Sequence, residues 1–216
     1  MIYKAVLFDL DGTLLDSVRD LADSMNSALE KYGCPVHGVE AYKYFVGNGM
    51  RKLVKRAIPE KLRDDENIEK FLNCMREEYK KRCFDHTVPY DGIPEMLDEF
   101  DKRGFIKTIL SNKPDEYTKL IVKKLLPDWE FAIVNGAKPD IPIKPDPEGA
   151  KRIAEEISVS PEEFVYLGDT SIDMKTAVAS GMFPVGVLWG FRGADELKSS
   201  GAKILIQKPM ELFNYI

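Results

Sequence analysis

The chain has 216 residues, 44% of them hydrophobic and 31% charged, with a net charge of -5. That length buries one substantial core with room for a smaller second one, and the acidic balance excludes the concentrated basic surface that a nucleic-acid binder displays. No apolar run approaches the roughly 18 residues that span a bilayer, and Lys4 interrupts the short apolar start, so a soluble, cytoplasmic protein without membrane segment or signal peptide is expected.

The first predicted strand, YKAVLFD at Tyr3 to Asp9, runs straight into a second carboxylate, Asp11, and then Gly12. From Ser17 to about Thr87 only helical signals follow. Val18, Leu21, Met25, Ala28 and Leu29 share one face, and Met50 to Ile58 and Ile68 to Cys83 continue the pattern. Ser17 is placed to cap the first of these helices, with Asp20 three residues on in place of the usual Glu. Strands return with FIKTILS (Phe105 to Ser111), FAIV (Phe131 to Val134), FVYLGD (Phe164 to Asp169) and PVGVLW (Pro184 to Trp189), and KILI (Lys203 to Ile206) is a sixth candidate. Pro94 to Arg103, Pro114 to Leu126, Pro147 to Ile157 and Asp173 to Ser180 read as helices, three of them opening on a proline at a first helical position. Strands and helices alternating at this spacing form an α/β parallel sheet covered on both faces. The expected organisation is a core of residues 1–15 and 88–216 with a helical insert at 16–87.

Charge is unevenly distributed. Ser17 to Asp85 carries 14 Lys/Arg against 12 Asp/Glu, a net of +2 that leaves -7 for the rest. The cluster RKLVKR at Arg51 to Arg56 reads as a solvated helix face, with a surface that attracts a small anion as the sharper alternative. Cys34, Cys74 and Cys83 are odd in number and lack a CxxC pair, so they are expected to be ordinary thiols.

In an open parallel sheet, ligands bind beyond the carboxyl ends of the strands. The polar residues ending these strands are Asp9, Ser111 with Asn112, and Asp169, and Lys144 comes from a loop beyond the third strand. Asp9 and Asp11 are two apart, so in an extended chain they face one side. With Asp169 and Asp173 they form an all-oxygen set that calls for a hard cation such as magnesium. Lys144 and the Ser111 hydroxyl are suited to hold phosphate oxygens beside that ion, which is the composition of a phosphoryl-transfer site.

DLDGTL at Asp9 to Leu14, Ser111, KPDP at Lys144 to Pro147 and GDTSIDM at Gly168 to Met174 together resemble, in order, the motifs of the haloacid dehalogenase-like hydrolases. The resemblance implies a Rossmann-like parallel-sheet core with an inserted α-helical cap, and a magnesium-dependent phosphatase. Asp11 sets the chain apart from a true dehalogenase, which lacks the second acid. DSVRDLADSMNSAL, VGNGMRKL, SNKP and KPDPEGA resemble the phosphoglycolate phosphatases within that family, although relatives acting on pyrophosphate, nucleotides or sugar phosphates, and phosphomutases, share much of the pattern. A receiver-type signalling domain is the remote alternative; it has no cap and its acids do not read DxDGT.

Carried over by that resemblance, Asp9 is the nucleophile that forms an aspartyl-phosphate, and Asp11 protonates the leaving group and then activates water. Magnesium is held by Asp9, the Asp11 carbonyl and Asp169, with Asp173 as a variable ligand. Ser111 and Lys144 stabilise the transferring group, and Lys144 is chosen over Lys138 of an earlier KPD because a helix start follows it. Thr13, Asn112, Asn48 and Arg51 are expected at the substrate, a small phosphorylated metabolite. The cap is expected to open and close over the site, Gly47 to Gly49 forming a loop that reaches it. No role falls to His37 or His86, and the protein is expected to be a monomer or homodimer with no nucleic-acid or membrane partner.

Overall fold

The structure, a computed structural model, describes residues 3–216; the first two residues of the expected segment 1–15 lie outside them. In chain order it contains β1 (Ala5–Phe8), β2 (Leu15–Asp16), α1 (Val18–Lys31), α2 (Val39–Phe45), α3 (Met50–Ala57) and α4 (Asp65–Arg82). There follow β3 (Val88–Pro89), α5 (Ile93–Lys102), β4 (Ile106–Pro114), α6 (Asp115–Leu125), β5 (Ile133–Ala137) and α7 (Glu148–Glu156). The chain finishes through β6 (Phe164–Gly168), α8 (Ser171–Ser180), β7 (Phe183–Val187), α9 (Ala194–Ser199) and β8 (Ile204–Ile206). By its internal contacts it divides into two units: one runs to Leu15 and resumes from Pro89 to Ile216, and the other is Asp16–Val88.

The first unit is built on a sheet of order β5-β4-β1-β6-β7-β8, with every neighbouring pair parallel. Strands covered on both faces lose the alternation of apolar and polar residues, and β1 (AVLF) and β6 (FVYLG) are accordingly buried along their whole length. Phe8 is in register with Ile109 on β4 and with Leu167 on β6. On one face Leu7, Leu110, Ile153, Phe164 and Ala177 join in a single core cluster, each large side chain contributing about 1.5–3 kcal/mol by its burial. From β1 the sheet grows outward through β4 and β5 on one side, then resumes at β6 and grows through β7 and β8 on the other. β1 is therefore where the strand order reverses, and the crevice of such a sheet opens beyond its carboxyl end.

Some boundaries differ from the sequence pattern for local reasons. The strand expected at Phe105 to Ser111 continues to Pro114, which carries Ser111, Asn112 and Lys113 into the buried sheet. FAIV is displaced, since the strand spans Ile133–Ala137 and follows its pairing with β4 rather than its own apolar run. The six residues of α9 and the two-residue strands β2 and β3, which pair where the chain passes between the units, are too short for any periodicity to be read.

In the helical unit α1 packs on α4, and α4 buries Ile68, Phe71, Leu72, Met75 and Tyr79 along one stripe. Asp64 caps α4 by accepting the Asn67 N–H at 2.9 Å. The capping box expected at Ser17 does not form. Ser17 has φ -113° and ψ 2°, outside the extended conformation of a cap, and its side chain makes no cap bond. Asp20 turns inward instead, accepting the N–H groups of His86 and Thr87 at 2.9 Å each and the Thr87 hydroxyl at 2.6 Å, which ties α1 to the end of its unit. His37 meets the Ala57 carbonyl oxygen through Nε2 at 2.7 Å. All three cysteines are free thiols, and among the described residues no helix is long and apolar enough to cross a membrane.

Candidate active site

The carboxyl ends of β1 and β6 and the loop beyond β5 deliver their polar residues to one place. Lys144 is buried, and its Nζ donates to Asp9 Oδ1 and to Asp173 Oδ1, both at 2.7 Å. Lys138, from the earlier KPD, bonds Asn135 at 2.9 Å and lies 3.7 Å from Asp115 instead. Carboxylate oxygens of Asp9, Asp169 and Asp173 all lie within 4.8 Å of one another, and the three residues are buried.

Two of the three acids are oriented by contacts with neighbouring backbone and hydroxyl groups. Asp169 Oδ2 accepts the Phe191 N–H at 2.7 Å, and its Oδ1 faces the Thr13 hydroxyl at 3.4 Å. Asp173 closes a capping box on α8, accepting the Thr170 N–H at 3.1 Å and the Thr170 hydroxyl at 2.6 Å with the oxygen that does not face Lys144. Two glycines make room for this crowding. A Cβ on Gly12, whose φ is +90°, would lie 2.2 Å from Asp169 Oδ2, and one on Gly168 would lie 2.1 Å from the Asp173 Cβ.

The electrostatics show how far this set is from balance. Burial pushes the Asp9 pKa up to about 7; the Asp173 carboxylate adds to the rise, and Lys144 opposes it. Burial also holds Asp169 well above the usual carboxylate range, reinforced by Asp173 and Asp9. For Lys144 burial acts downward, but Asp173 and Asp9 outweigh it and hold its pKa well above the ordinary lysine value. One ammonium therefore stands among three buried carboxylates. An all-carboxylate donor set with negative charge left over fits a hard divalent cation, and contains neither the His nor the Cys that a softer metal favours.

Of the other residues expected here, Ser111 is buried on β4 and its Oγ accepts the Lys113 N–H at 3.2 Å. Asn112 serves Lys144 directly: its Nδ2 donates to the Lys144 carbonyl and its Oδ1 accepts the Lys144 N–H, each at 2.9 Å. Thr13 supports the motif from within, with its hydroxyl toward Asp169 and its carbonyl accepting the Trp189 indole N–H at 2.9 Å. Asn48 and Arg51 belong to the helical unit, where their polar groups are engaged. Asn48 Oδ1 accepts from Arg56 at 2.7 Å, and Arg51 bonds Asp65 at 2.6 Å and also Glu69. In the RKLVKR cluster, Leu53 and Val54 are buried while Arg51, Lys52 and Lys55 face solvent, as for a solvated helix face.

Sequence reasoning missed Lys113. Its ammonium is bonded to the Asp11 carboxylate, and the pair is almost wholly enclosed. The available signal was a lysine inside a buried strand, immediately past Ser111, where a long cationic side chain cannot reach water.

The chain as a whole is similar to known proteins. The family model for haloacid dehalogenase-like hydrolases matches residues 6–187. A phosphoglycolate phosphatase of Xanthomonas campestris pv. campestris is 31% identical over 97% of this chain and 95% of its own length. One from Aquifex aeolicus is 28% identical over 97% and 94%. A crystal structure from Lactobacillus delbrueckii subsp. bulgaricus, provisionally named a phosphoglycolate phosphatase, superposes with a TM-score of 0.92 at 30% identity, covering 98% of this chain and 97% of that one.

Proposed function

The chain belongs to the haloacid dehalogenase-like hydrolases, and we propose that it is a phosphatase that hydrolyses a small phosphomonoester, phosphoglycolate foremost, through an aspartyl-phosphate on Asp9. The observation that carries the chemistry is the Lys144 ammonium set between Asp9 and Asp173 at 2.7 Å, with three buried carboxylates converging within 4.8 Å. The substrate comes from the names of the relatives in Xanthomonas and Aquifex.

In this reading an Asp9 oxygen attacks phosphorus while the bond from phosphorus to the ester oxygen breaks, and Asp11 gives its proton to the departing alkoxide. Water then attacks the phosphorus of the aspartyl-phosphate, Asp11 takes the proton back, and the phosphorus bond to Asp9 breaks to release inorganic phosphate. Lys144 fixes the orientation of Asp9 and offers positive charge toward the transferring oxygens, and Asn112 keeps the Lys144 backbone in place. Ser111 donates its hydroxyl to the same phosphoryl group. Asp9, the Asp11 carbonyl and Asp169 would hold magnesium, with Asp173 behind them. When bound, the ion supplies positive charge that keeps Asp9 ionised and lessens repulsion between it and the phosphate. The helical unit acts as a cap that excludes water during the reaction.

The test is phosphate release, with magnesium and with chelator, across phosphoglycolate, pyrophosphate, nucleoside monophosphates and sugar phosphates. A magnesium-dependent preference for phosphoglycolate is expected. Conversion of a sugar phosphate to its isomer without release would instead identify a mutase, and full activity of Asp9→Asn would remove the covalent mechanism.

A further inference from the structure

In the proposed reaction Lys113 takes no part in the attack on phosphorus, yet the fold holds it in a buried ion pair. Its side chain is 2% exposed and its ammonium is bonded to the Asp11 carboxylate. An ammonium is costly to enclose unless it is paired, and even a buried pair repays its desolvation only where its geometry is good. The backbone is held as firmly as the charge. Its N–H is bonded to Ser111 Oγ at 3.2 Å, and its carbonyl accepts the Thr118 hydroxyl at 3.2 Å. Gly136 packs so closely that a Cβ there would lie 2.6 Å from the Lys113 carbonyl oxygen.

Two of the buried lysines thus divide the acids at the end of β1 between them. Lys144 is matched to Asp9 and Asp173, on the side of the transferring phosphoryl group. Lys113 is matched to Asp11, which in the proposed reaction serves the leaving oxygen. In that reading a substituent on the ester carbon lies beside Asp11 and hence near the Lys113 ammonium.

We propose that Lys113 selects the leaving group, its ammonium binding a carboxylate attached directly to the ester carbon, so that the substrates are phosphate esters of small 2-hydroxy acids. Phosphoglycolate is the smallest of that class. The inference rests on the phosphatase reading and adds to it the residue and the charge that decide the substrate. A fixed, enclosed cation attracts an anionic substituent, gains nothing from a neutral one and repels a cationic one.

The experiment compares phosphoglycolate, 2-hydroxyethyl phosphate and 2-aminoethyl phosphate, esters of similar size whose leaving groups differ in charge, as substrates of the full-length protein with magnesium. The wild type, Lys113→Met and Lys113→Arg are assayed for kcat and KM, and binding of glycolate alone is followed by calorimetry. The wild type is expected to favour phosphoglycolate over the hydroxyethyl ester by about a hundredfold in kcat/KM. Lys113→Met reduces that preference to below about tenfold, mainly through KM, and loses glycolate binding, whereas Lys113→Arg retains most of both. An equal loss on all three esters in Lys113→Met, with the preference intact, would overturn the proposal and leave Lys113 as a support for Asp11. So would a wild type that cleaves the neutral ester better than the acidic one, with the phosphatase reading still standing. If the wild type releases phosphate from none of them and from no other ester, the phosphatase reading falls. Glycolate binding then decides alone: lost in Lys113→Met it sustains the anion site, and unchanged it refutes it.

Discussion

In the sheet unit the charged residues that matter are enclosed and bonded to one another, whereas in the helical unit they are spread over the surface. The Lys113 and Lys144 side chains are 2% and 3% exposed, but that of Arg51 is 46% exposed and the Asp65 it meets is almost fully solvated. Water screens the second kind of pair, so it is worth little and tolerates change. The first kind has no water to fall back on. Removing one partner strands the other in a medium that cannot solvate it, and each such residue depends on the rest of the set.

The strongest test of that contrast is Asp9→Asn, expected to lower phosphate release by at least about 10⁴-fold while circular dichroism stays native; a loss under about tenfold would mean that Asp9 is not the attacking group. Next comes Lys144→Met, which keeps the volume and leaves Asp9 and Asp173 facing each other without a cation. Urea unfolding of the metal-free protein at pH 7 should show a loss of about 3–5 kcal/mol, partly restored by magnesium. A neutral result would mean that the carboxylates find other compensation.

The protonation of Asp9 gives a third test. Its folded pKa of about 7 exceeds the unfolded value of about 3.9, so between those values the native state holds more protons than the unfolded chain. Stability contributed by this group therefore falls as pH rises from about 4 to about 7. Without metal, Asp9→Asn should gain stability relative to the wild type across that interval, and the stabilisation of the wild type by magnesium should grow over the same interval. A gap that narrows with pH would contradict the sign.

In the helical unit the exception sharpens the rule. Asp20 is buried and accepts three bonds from His86 and Thr87, so Asp20→Ala should cost about 1–3 kcal/mol, read as a lower urea midpoint. Arg51→Ala, which removes two exposed pairs, should change stability by less than about 1 kcal/mol. A rise in KM in that variant without a change in stability would place Arg51 at the substrate.

Much of this was legible without coordinates. Strand and helix order follow from apolar runs and spacing that a short window contains. DLDGTL and GDTSID put acids at the ends of buried strands, where a local pattern already implies a crevice. Asp9, Asp169 and Lys144 could be named for that reason, and the loop lysine chosen over Lys138 is the one bonded to Asp9. The capping box at Ser17 failed because its residues had a local use and a distant one, and the distant one, at Thr87, won. What the sequence by itself determined was therefore the elements, their order and the chemical types at their ends, all set by neighbours within a few positions. Tertiary structure alone decided which charges meet. Lys144 reaches Asp9 across 135 positions, and Lys113 reaches Asp11 across 102. No local periodicity encodes such a pairing; it follows from strand order and from the need of a buried charge for a partner once water has been excluded.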